Sequence, residues 1–221
     1  MPEHPPPKRT KLRLGAVERR SSGDDRAGRR PSARRQELLE IAAEQFAARG
    51  FVNVTVDDLG AAAGVSGPAL YHHFDSKEAM LGEMLVDISR HLLESARARR
   101  VAAPAERLLD DLIEMQVSFA VDHRALISVH FRDLLHTSAD DQRRVRTLQR
   151  EYVEIWVEAL VVRHPELPLG VARPAVHAAL GLVNSTPFSP RARRSDLVSM
   201  LRDMAHAALA AVGGASGRPD G

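Results

Sequence analysis

Two short helical patterns joined by a tight turn, at about residues 55–74, constrain this chain more than any other feature of its sequence. Thr55 is a good N-cap residue, and Gly64 favours the left-handed conformation that ends a helix. Ser66 then caps a second helix, which tolerates Pro68 in its first turn and runs to the end of the segment. Helices of roughly nine residues are unstable alone, so this pair requires a packed scaffold.

The segment before this pair provides the scaffold. Apolar residues recur there at the spacing of one helix face, at Leu39, Ala42, Ala43 and Phe46. This periodicity predicts a helix over 34–49, which Gly50 ends. We expect the short pair to pack against this helix through Leu59, Ala63, Val65, Leu70 and Phe74.

The rest of the chain also has helical periodicity, and no stretch alternates convincingly with the period of two that a half-buried strand requires. We predict amphipathic helices at 76–99, 104–122, 124–136, 140–163, 171–186 and 195–212. Prolines mark the joins, at Pro104, Pro165, Pro168, Pro187 and Pro190. The predicted fold class is all-α, with about nine helices.

Charge is distributed unevenly along the chain. Residues 1–35 hold 11 Lys or Arg against 4 Asp or Glu, whereas the remainder holds 20 against 25. Basic arms of this kind attract polyanions, of which DNA is the first candidate. A solvated, disordered segment without a partner is the alternative interpretation.

A short helix held on a scaffold, with polar residues outward, suits insertion into the major groove of DNA. The predicted outward residues are Ser66, Gly67, Ala69, Tyr71, His72, His73 and Lys77. The candidates for phosphate contacts are Tyr71, His73 and Lys77, together with Thr55 at a helix N-terminus. The candidates for bringing backbone and small apolar groups near base edges are Gly67, Pro68 and Ala69.

The run TVDDLGAAAGVSGPALYHHFDSKE, beginning at Thr55, resembles the DNA-binding signature of the tetracycline-repressor (TetR) family. The match extends back through RQELLEIAAEQFAARGF, beginning at Arg35, and ends near Leu85. The residues that stand where the family's pattern places them are Gly64, Leu70, Tyr71, Phe74 and Lys77. The resemblance implies an all-helical homodimer with an N-terminal three-helix DNA-binding unit and a larger C-terminal ligand-binding and dimerisation unit.

We therefore expect four parts: a disordered basic arm (1–32), a helix-turn-helix domain (33–80), an effector-binding and dimerisation domain (81–212) and a disordered tail (213–221). The expected function is that of a ligand-responsive transcriptional regulator, with repression favoured by the resemblance. Its partners would be a near-palindromic DNA operator, a second copy of the chain and a small hydrophobic effector. An acyl thioester, another lipid-like metabolite or a drug fits that effector equally well.

The predicted DNA-binding segment differs in one respect from a DNA-binding segment that is rich in basic residues. Residues 36–85 contain only Arg49 and Lys77 as strong cations, against eight acidic residues. Attraction to phosphate must then come partly from elsewhere, and the basic arm just upstream is the natural candidate. Our hypothesis is that arginines at its end lie on the DNA backbone or enter the minor groove: Arg29, Arg30, Arg34 and Arg35.

Apolar and aromatic residues recur on shared faces of the predicted middle helices, where relatives hold their effector. The candidate ligand-binding residues are Met115, Phe119, Ile127, His130, Phe131, Leu134, Tyr152 and Trp156. A concave apolar site of this kind suits a hydrophobic molecule. Ordinary core packing is the alternative for each residue taken singly.

The last two predicted helices favour a dimer interface, because their small and apolar residues allow close helix approach. The candidate interface residues are Val176, Ala179, Leu180, Val183, Leu197, Leu201, Met204 and Ala208. An intramolecular core made by the same residues is the alternative.

Other classes of protein find less support. The absence of cysteine excludes disulfides and thiolate metal sites, and His123 and His130 lack a third ligand at a suitable spacing. We find no nucleophile motif and no glycine-rich phosphate loop, so we expect no enzyme and no cofactor. Acid–base groups such as Glu114, Asp133 and His130 have nothing to position them. An architectural DNA-binding protein without an effector remains the alternative function.

The location expected from the sequence is the cytoplasm. No apolar run approaches the roughly 20 residues that a membrane-spanning helix needs. The basic N-terminus also lacks the apolar stretch of a secretory signal.

Overall fold

The computed structural model describes residues 33–189 and 192–215, and within these ranges every regular element is helical. The helices are α1 (Ala33–Arg49), α2 (Val56–Ala63), α3 (Gly67–Leu70), α4 (Lys77–Ala102), α5 (Ala105–Asp122), α6 (Arg124–Asp133), α7 (Ala139–Arg163), α8 (Leu169–Val183) and α9 (Arg194–Ala215). Single 3-10 turns follow α1, α6 and α8, at Phe51–Asn53, Leu134–His136 and Thr186–Phe188. The all-α prediction is confirmed, whereas the basic arm predicted over 1–32 lies outside the described residues.

Side-chain caps begin α2 and α4 where the sequence predicts them, whereas Ser66 stands at the N-cap of α3 but makes no side-chain cap bond. The Thr55 hydroxyl accepts a hydrogen bond from the Asp58 amide at 3.1 Å, and the Asp58 carboxylate accepts one from the Thr55 amide at 2.8 Å. Ser76 caps α4 by accepting from the Ala79 amide at 3.0 Å. Gly64 ends α2 with a φ of 67°, which a residue with a Cβ adopts only at a cost. These reciprocal bonds satisfy amides that would otherwise lack partners at the helix ends.

The third helix is shorter than the sequence suggests. We predict it to continue to about Phe74, but it ends at Leu70. The amides of His73 and Phe74 both donate to the Leu70 carbonyl, at 2.9 and 3.0 Å. These bonds close a turn that directs Phe74 into the core, where it is 4% exposed.

Helices α1–α3 surround a small apolar core. Leu39 and Phe46 of α1 are fully buried, and Leu59 of α2 and Leu70 of α3 meet them from the other side. Phe51 packs its ring edge-on against Phe46, with centroids 5.2 Å apart. Each large side chain removed from water contributes roughly 1.5–3 kcal/mol, so tertiary packing holds helices that are too short to be stable alone.

Helix α4 connects this unit to the longer helices α5–α9. Its first half contributes Leu81 and Leu85 to the core, and its second half runs along α7. Helix α6 packs directly on α1, which gives the two parts of the molecule a second junction. Helix α9 continues through Ala215, beyond residue 213 where we predict the tail to begin, and the remainder of that tail lies outside the described residues. Within the described ranges, no helix is both long enough and apolar enough to cross a membrane.

Candidate nucleic-acid interface

The turn after α2 and the short α3 present an exposed surface made of uncharged groups. Ser66, Pro68 and His72 are exposed, and Tyr71 leaves 55% of its area open to solvent. Ala69 and His73 are partly buried at its margin. The buried side chains of Leu70 and Phe74 hold this surface from below, so it has a fixed shape.

Gly67 is not part of that surface. It is buried, and a Cβ built on it would lie 2.2 Å from Asp57 Oδ1. At Gly60 of α2, across the turn, the obstacles are main-chain atoms: a Cβ there would lie 2.8 Å from the Val65 carbonyl oxygen and 2.9 Å from the Gly67 nitrogen. Gly67, predicted to approach bases, is therefore buried in the turn and absent from the exposed surface, whereas Gly60 allows the close approach of α2 and α3.

Lys77, a predicted phosphate ligand, contacts two main-chain carbonyls and an aromatic ring within the chain. Its Nζ donates to the carbonyl oxygens of Phe51 at 2.9 Å and Val54 at 2.8 Å. The same ammonium lies 4.3 Å from the centroid of the Phe51 ring, a favourable cation–π distance. These contacts fasten the start of α4 to the loop that precedes α2.

Arg49, the second strong cation of the segment, is paired with an acidic residue. Its guanidinium lies 3.0 Å from the Asp58 carboxylate. The Arg49 hydrogen bond, followed by those from Thr55, holds the pKa of Asp58 well below its usual range. The Thr55 hydroxyl also donates to Asp58 at 2.7 Å, so the exposed group at the start of α2 is engaged in capping.

Arg34 and Arg35, expected at the DNA, also bind within the chain. Arg34 donates to Glu37 at 2.8 Å and to the Ala63 carbonyl at 2.9 Å. Arg35 donates through Nε to Glu83 at 2.7 Å, and its guanidinium lies 4.2 Å from the centroid of the Phe74 ring. The Glu83 hydrogen bond raises the pKa of Arg35. Both guanidinium groups, which project from α1, are thus engaged by partners on α1, α2 and α4.

The four strong cations of residues 33–85 are thus all engaged in contacts inside the protein, and the same range contains eight carboxylates. The candidate interface is neutral, and its surroundings are acidic. Such a surface can recognise shape and base edges, but it has little attraction for phosphate of its own.

The candidate effector residues divide into buried and exposed sets. Phe119, Ile127, Tyr152 and Trp156 are buried, and His130 is largely so, with burial lowering its pKa to about 4. Met115 and Leu134 are partly buried against the core. Phe131 is instead 59% exposed on the outer face of α6, which contradicts its predicted place in a pocket.

Ring contacts arrange the buried aromatic residues in two groups. Phe119 lies between His91 and His123, with centroid distances of 6.3 and 5.0 Å. Burial lowers the pKa of both histidines. Tyr152 and Trp156 meet edge-on, with centroids 6.1 Å apart.

Two buried polar residues beside Tyr152 were not predicted from the sequence. Gln116 is 1% exposed, accepts from the Tyr152 hydroxyl at 2.7 Å and donates to Asn184 Oδ1 at 2.7 Å. A signal for Gln116 existed, because it interrupts the apolar stripe of α5 between Leu112 and Ala120. Asn184 had no such signal, since it follows the last residue of α8 and meets α5 only through the tertiary fold.

The predicted dimer interface is largely a core within one chain. Five of its eight residues are buried between α8, α9 and their neighbours: Val176, Ala179, Val183, Leu197 and Leu201. Leu180 and Ala208 are partly buried, and Met204 is 46% exposed. Both helices carry apolar residues on two faces, and the face with the larger side chains packs inward.

Comparison with known proteins agrees with this architecture. Residues 38–84 match the model of the bacterial regulatory proteins of the tetR family. The HTH-type transcriptional repressor KstR2 of Mycolicibacterium smegmatis is 36% identical over 134 residues, which cover 59% of this chain and 64% of that protein. KstR2 of Mycobacterium tuberculosis is 34% identical over 142 residues, covering 62% and 69%. The matches thus span about two thirds of the length of these curated relatives.

A solved structure extends the likeness to the fold. The structure of the ketosteroid transcriptional regulator KstR2 of Mycobacterium tuberculosis superposes with a TM-score of 0.65 at 24% identity, covering 83% of this chain and 95% of that one. The likeness includes the helices that follow the DNA-binding segment. The sequence matches show that the chain belongs to the tetR family of bacterial regulatory proteins.

Proposed function

We propose that this chain is a transcriptional repressor that binds a near-palindromic DNA operator as a homodimer and leaves it when a small hydrophobic molecule binds. In this proposal residues 33–80 form the DNA-binding domain. Residues 81–212 bind the effector and the second copy of the chain, and α4 is shared between the two.

The observation that carries the proposal is the exposed surface around α3. Pro68 and Tyr71 project from a turn whose underside is fixed by Leu70 and Phe74. A rigid, narrow and uncharged projection fits a major groove, where Pro68 and Ala69 offer apolar contacts to thymine methyl groups. The Tyr71 hydroxyl offers a hydrogen bond to a phosphate oxygen.

Electrostatic attraction is assigned to residues 1–32 in this proposal. That segment holds nine Lys or Arg and four Asp or Glu, and it joins the chain directly at the start of α1. Because the cations of residues 33–85 bind protein groups, we assign the attraction to this basic segment, which directly precedes them in the sequence. Arg29 and Arg30 keep the role proposed from the sequence, whereas Arg34 and Arg35 act within the domain.

A homodimer is supported by the outer faces of α8 and α9. The exposed apolar residues of these faces are Val171, Ala178, Met200, Met204, Ala207 and Ala211. They lie opposite the buried stripes, so two copies can pair these faces as a four-helix interface. Twofold pairing would set the two α3 surfaces about 34 Å apart, or somewhat more, on successive major grooves.

Two junctions can carry an effector's influence to the DNA-binding domain. One is α4, which spans both parts. The other is the end of α6, where Arg132 donates to the Phe46 carbonyl and His136 stacks on Phe51 with centroids 5.1 Å apart. A molecule that displaces α6 therefore also displaces α1. A coupling of roughly 1–3 kcal/mol is typical of such systems.

The effector class rests on the buried apolar and aromatic side chains of α5–α7. Phe119, Ile127 and Trp156 form an apolar interior that suits a lipid-like molecule. The similar solved structure is that of a ketosteroid regulator, which supports the same class.

The test is selection of bound sequences from random duplex DNA by the full chain. A half-site repeated with twofold symmetry is expected. On the selected operator, Tyr71→Phe should weaken binding about three- to tenfold, as expected for loss of one hydrogen bond. Glu158→Gln, an exposed change on α7, is the control and should leave affinity unchanged. Failure to select any sequence, or equal affinity of the Tyr71 variant, would contradict the proposal.

A further inference from the structure

The guanidinium group of Arg35, near the start of α1, contacts both α4 and the recognition turn, which we define as residues 71–74 after α3. Its Nη1 donates to the main-chain carbonyl of His73. Its Nε donates to one carboxylate oxygen of Glu83 on α4 at 2.7 Å, and its Nη2 donates to the other. The guanidinium also lies over the Phe74 ring, 4.2 Å from the centroid. One side chain thus fastens α1, the recognition turn and α4 to one another.

These contacts give the recognition turn a direction that apolar packing does not provide. Helix α3 has only four residues, too few to hold its own orientation. Leu70 and Phe74 anchor it by burial, which is a non-directional force. The amides of His73 and Phe74 both donate to the Leu70 carbonyl, so these bonds close the turn without tying it to another helix. The hydrogen bond from Arg35 is directional and ties the turn to α1 and, through Glu83, to α4.

The geometry requires arginine and not merely a cation. A guanidinium is planar and carries five N–H donors in a fixed fork, so one edge can pair with a carboxylate while another nitrogen donates elsewhere. A lysine at position 35 would bring the same charge on one nitrogen. It could not present two parallel donors to Glu83 and a separate donor to His73.

The surroundings of Arg35 are acidic. The hydrogen bond with Glu83 raises the pKa of Arg35, and the negative charges of Asp75 and Asp87 act in the same direction. The side chains of Arg35 and Glu83 are both partly buried. Together they offer DNA little net charge, and the Glu83 carboxylate alone would repel phosphate. Any benefit of this pair to DNA binding must therefore come from geometry.

We propose that Arg35 is a positioning residue for operator recognition, which sets the angle of the α3 surface by holding the His73 carbonyl and the Glu83 carboxylate at the same time. This inference rests on the proposed function and adds the contact that orients its recognition surface. Arg35 needs no contact with DNA in this role. Because Glu83 belongs to α4, the angle of the surface follows the position of that helix.

The experiment measures the affinity of the full chain for its selected operator and for a duplex of scrambled sequence, well below the melting temperature of each variant. Arg35→Lys keeps the charge and loses the fork. Operator binding should weaken about tenfold, as for loss of one hydrogen bond to a charged group, while binding to scrambled DNA should not change. Arg90→Lys is the matched control, because Arg90 pairs with Asp87 on its own helix, and it should leave both affinities unchanged.

Glu83→Gln separates position from charge by the sign of its effect. Removal of a negative charge near DNA should by itself tighten binding. If Glu83 acts through Arg35, the variant should instead bind the operator about three- to fivefold more weakly, because glutamine keeps only one of the two acceptors. Glu78→Gln is the control, since Glu78 is an exposed carboxylate in the first turn of α4, and it should bind as tightly as the unmodified chain or more tightly.

Urea denaturation followed by circular dichroism measures the stability of each variant separately from its affinity. A merely structural role would lower the free energy of unfolding and leave the operator affinity of the folded protein unchanged, which would overturn the inference. Equal weakening on operator and scrambled DNA by Arg35→Lys would overturn it too, as would tighter operator binding by Glu83→Gln. If Arg35→Lys does not fold, the sign of the Glu83→Gln effect decides.

The unmodified chain provides the test of the proposed function in the same measurement. If it prefers the operator to scrambled DNA but Arg35→Lys binds as tightly, only the role of Arg35 is refuted. If the unmodified chain does not distinguish the two duplexes, the proposed function is refuted and this inference with it.

Discussion

The guanidinium of Arg132, on α6, donates a hydrogen bond to the main-chain carbonyl of Phe46 in the last turn of α1. The same guanidinium lies 3.2 Å from the carboxylate of Asp133, whose side chain is buried. A cation is favourable at this end of α1, because the helix dipole is negative there. One side chain thus joins the proposed effector domain to the DNA-binding domain and neutralises a buried acid.

Arg132→Met should lower the free energy of unfolding by about 1–3 kcal/mol, because the buried Asp133 carboxylate loses its guanidinium partner. The Phe46 carbonyl also loses one of its two hydrogen bonds and keeps the one from the Gly50 amide. The measurement is urea denaturation followed by circular dichroism. Arg143→Met is the matched control, since Arg143 pairs only with exposed Asp140 on α7 and such pairs contribute less than about 1 kcal/mol. Equal effects of the two substitutions would show that the junction contributes nothing.

Lys77→Met distinguishes a clamp from a phosphate ligand. As a clamp, Lys77 holds two carbonyl groups and the Phe51 ring, so its loss should reduce the free energy of unfolding by about 1–3 kcal/mol. The salt dependence of operator binding, measured well below the melting temperature, should stay the same. A phosphate ligand would behave in the opposite way, with unchanged stability and a salt slope smaller by about one.

Gly60→Ala should destabilise the chain even though alanine ordinarily favours a helix interior by about 1 kcal/mol. The added Cβ would meet main-chain atoms of Val65 and Gly67, which cannot move without separating α2 from α3. We expect a loss of roughly 1–3 kcal/mol in unfolding free energy, with weaker operator binding. Gly67→Ala is the control, because its obstacle is the end of the exposed Asp57 side chain, which can rotate away. A stabilised Gly60→Ala protein would contradict the packing described for this turn.

The pH dependence of stability should include a contribution from His130. Burial lowers the pKa of His130 to about 4 from an ordinary 6.5, and Gln149 Nε2 lies 2.6 Å from the Nε2 atom of its ring. The unfolded chain therefore takes up this proton first as the pH falls, so the contribution is lost between about pH 6.5 and pH 4. Between pH 7 and pH 5 the loss amounts to about 2 kcal/mol.

The measurement compares unfolding free energies at these two pH values for the unmodified chain and for His130→Leu. The variant should lose about 2 kcal/mol less on acidification. His72→Gln, which alters an exposed histidine, should behave as the unmodified chain. If His130→Leu shows the same decrease as the unmodified chain, His130 is not held neutral by the fold.

Local signals in the sequence were sufficient to predict the helices and most of the buried residues of the DNA-binding unit. The caps at Thr55 and Ser76 and the stop at Gly64 depend on residues three positions apart or on a single φ angle. The predicted end of α3 is wrong, because the chain turns at Leu70 and this turn buries Phe74. Helix propensity does not include that requirement.

Functional details that depend on contacts between distant segments could not be predicted in this way. The sequence marks Arg35 and Lys77 as cations, but their partners Glu83 and Phe51 become neighbours only after folding. We predict a dimer interface at the buried stripe of α9, because helical periodicity shows that a helix face is apolar. Periodicity does not show which element covers that face. The pairing of Gln116 with Asn184 likewise joins residues 68 positions apart.

The central claim is that an uncharged recognition surface depends on residues 1–32 for its attraction to DNA. The direct test measures operator affinity over a range of salt concentrations for the full chain and for a chain that begins at residue 33. Each phosphate neutralised contributes about 0.9 to the salt slope, so the shorter chain should bind more weakly and with a slope smaller by several units. Unchanged affinity with an unchanged slope would contradict the account.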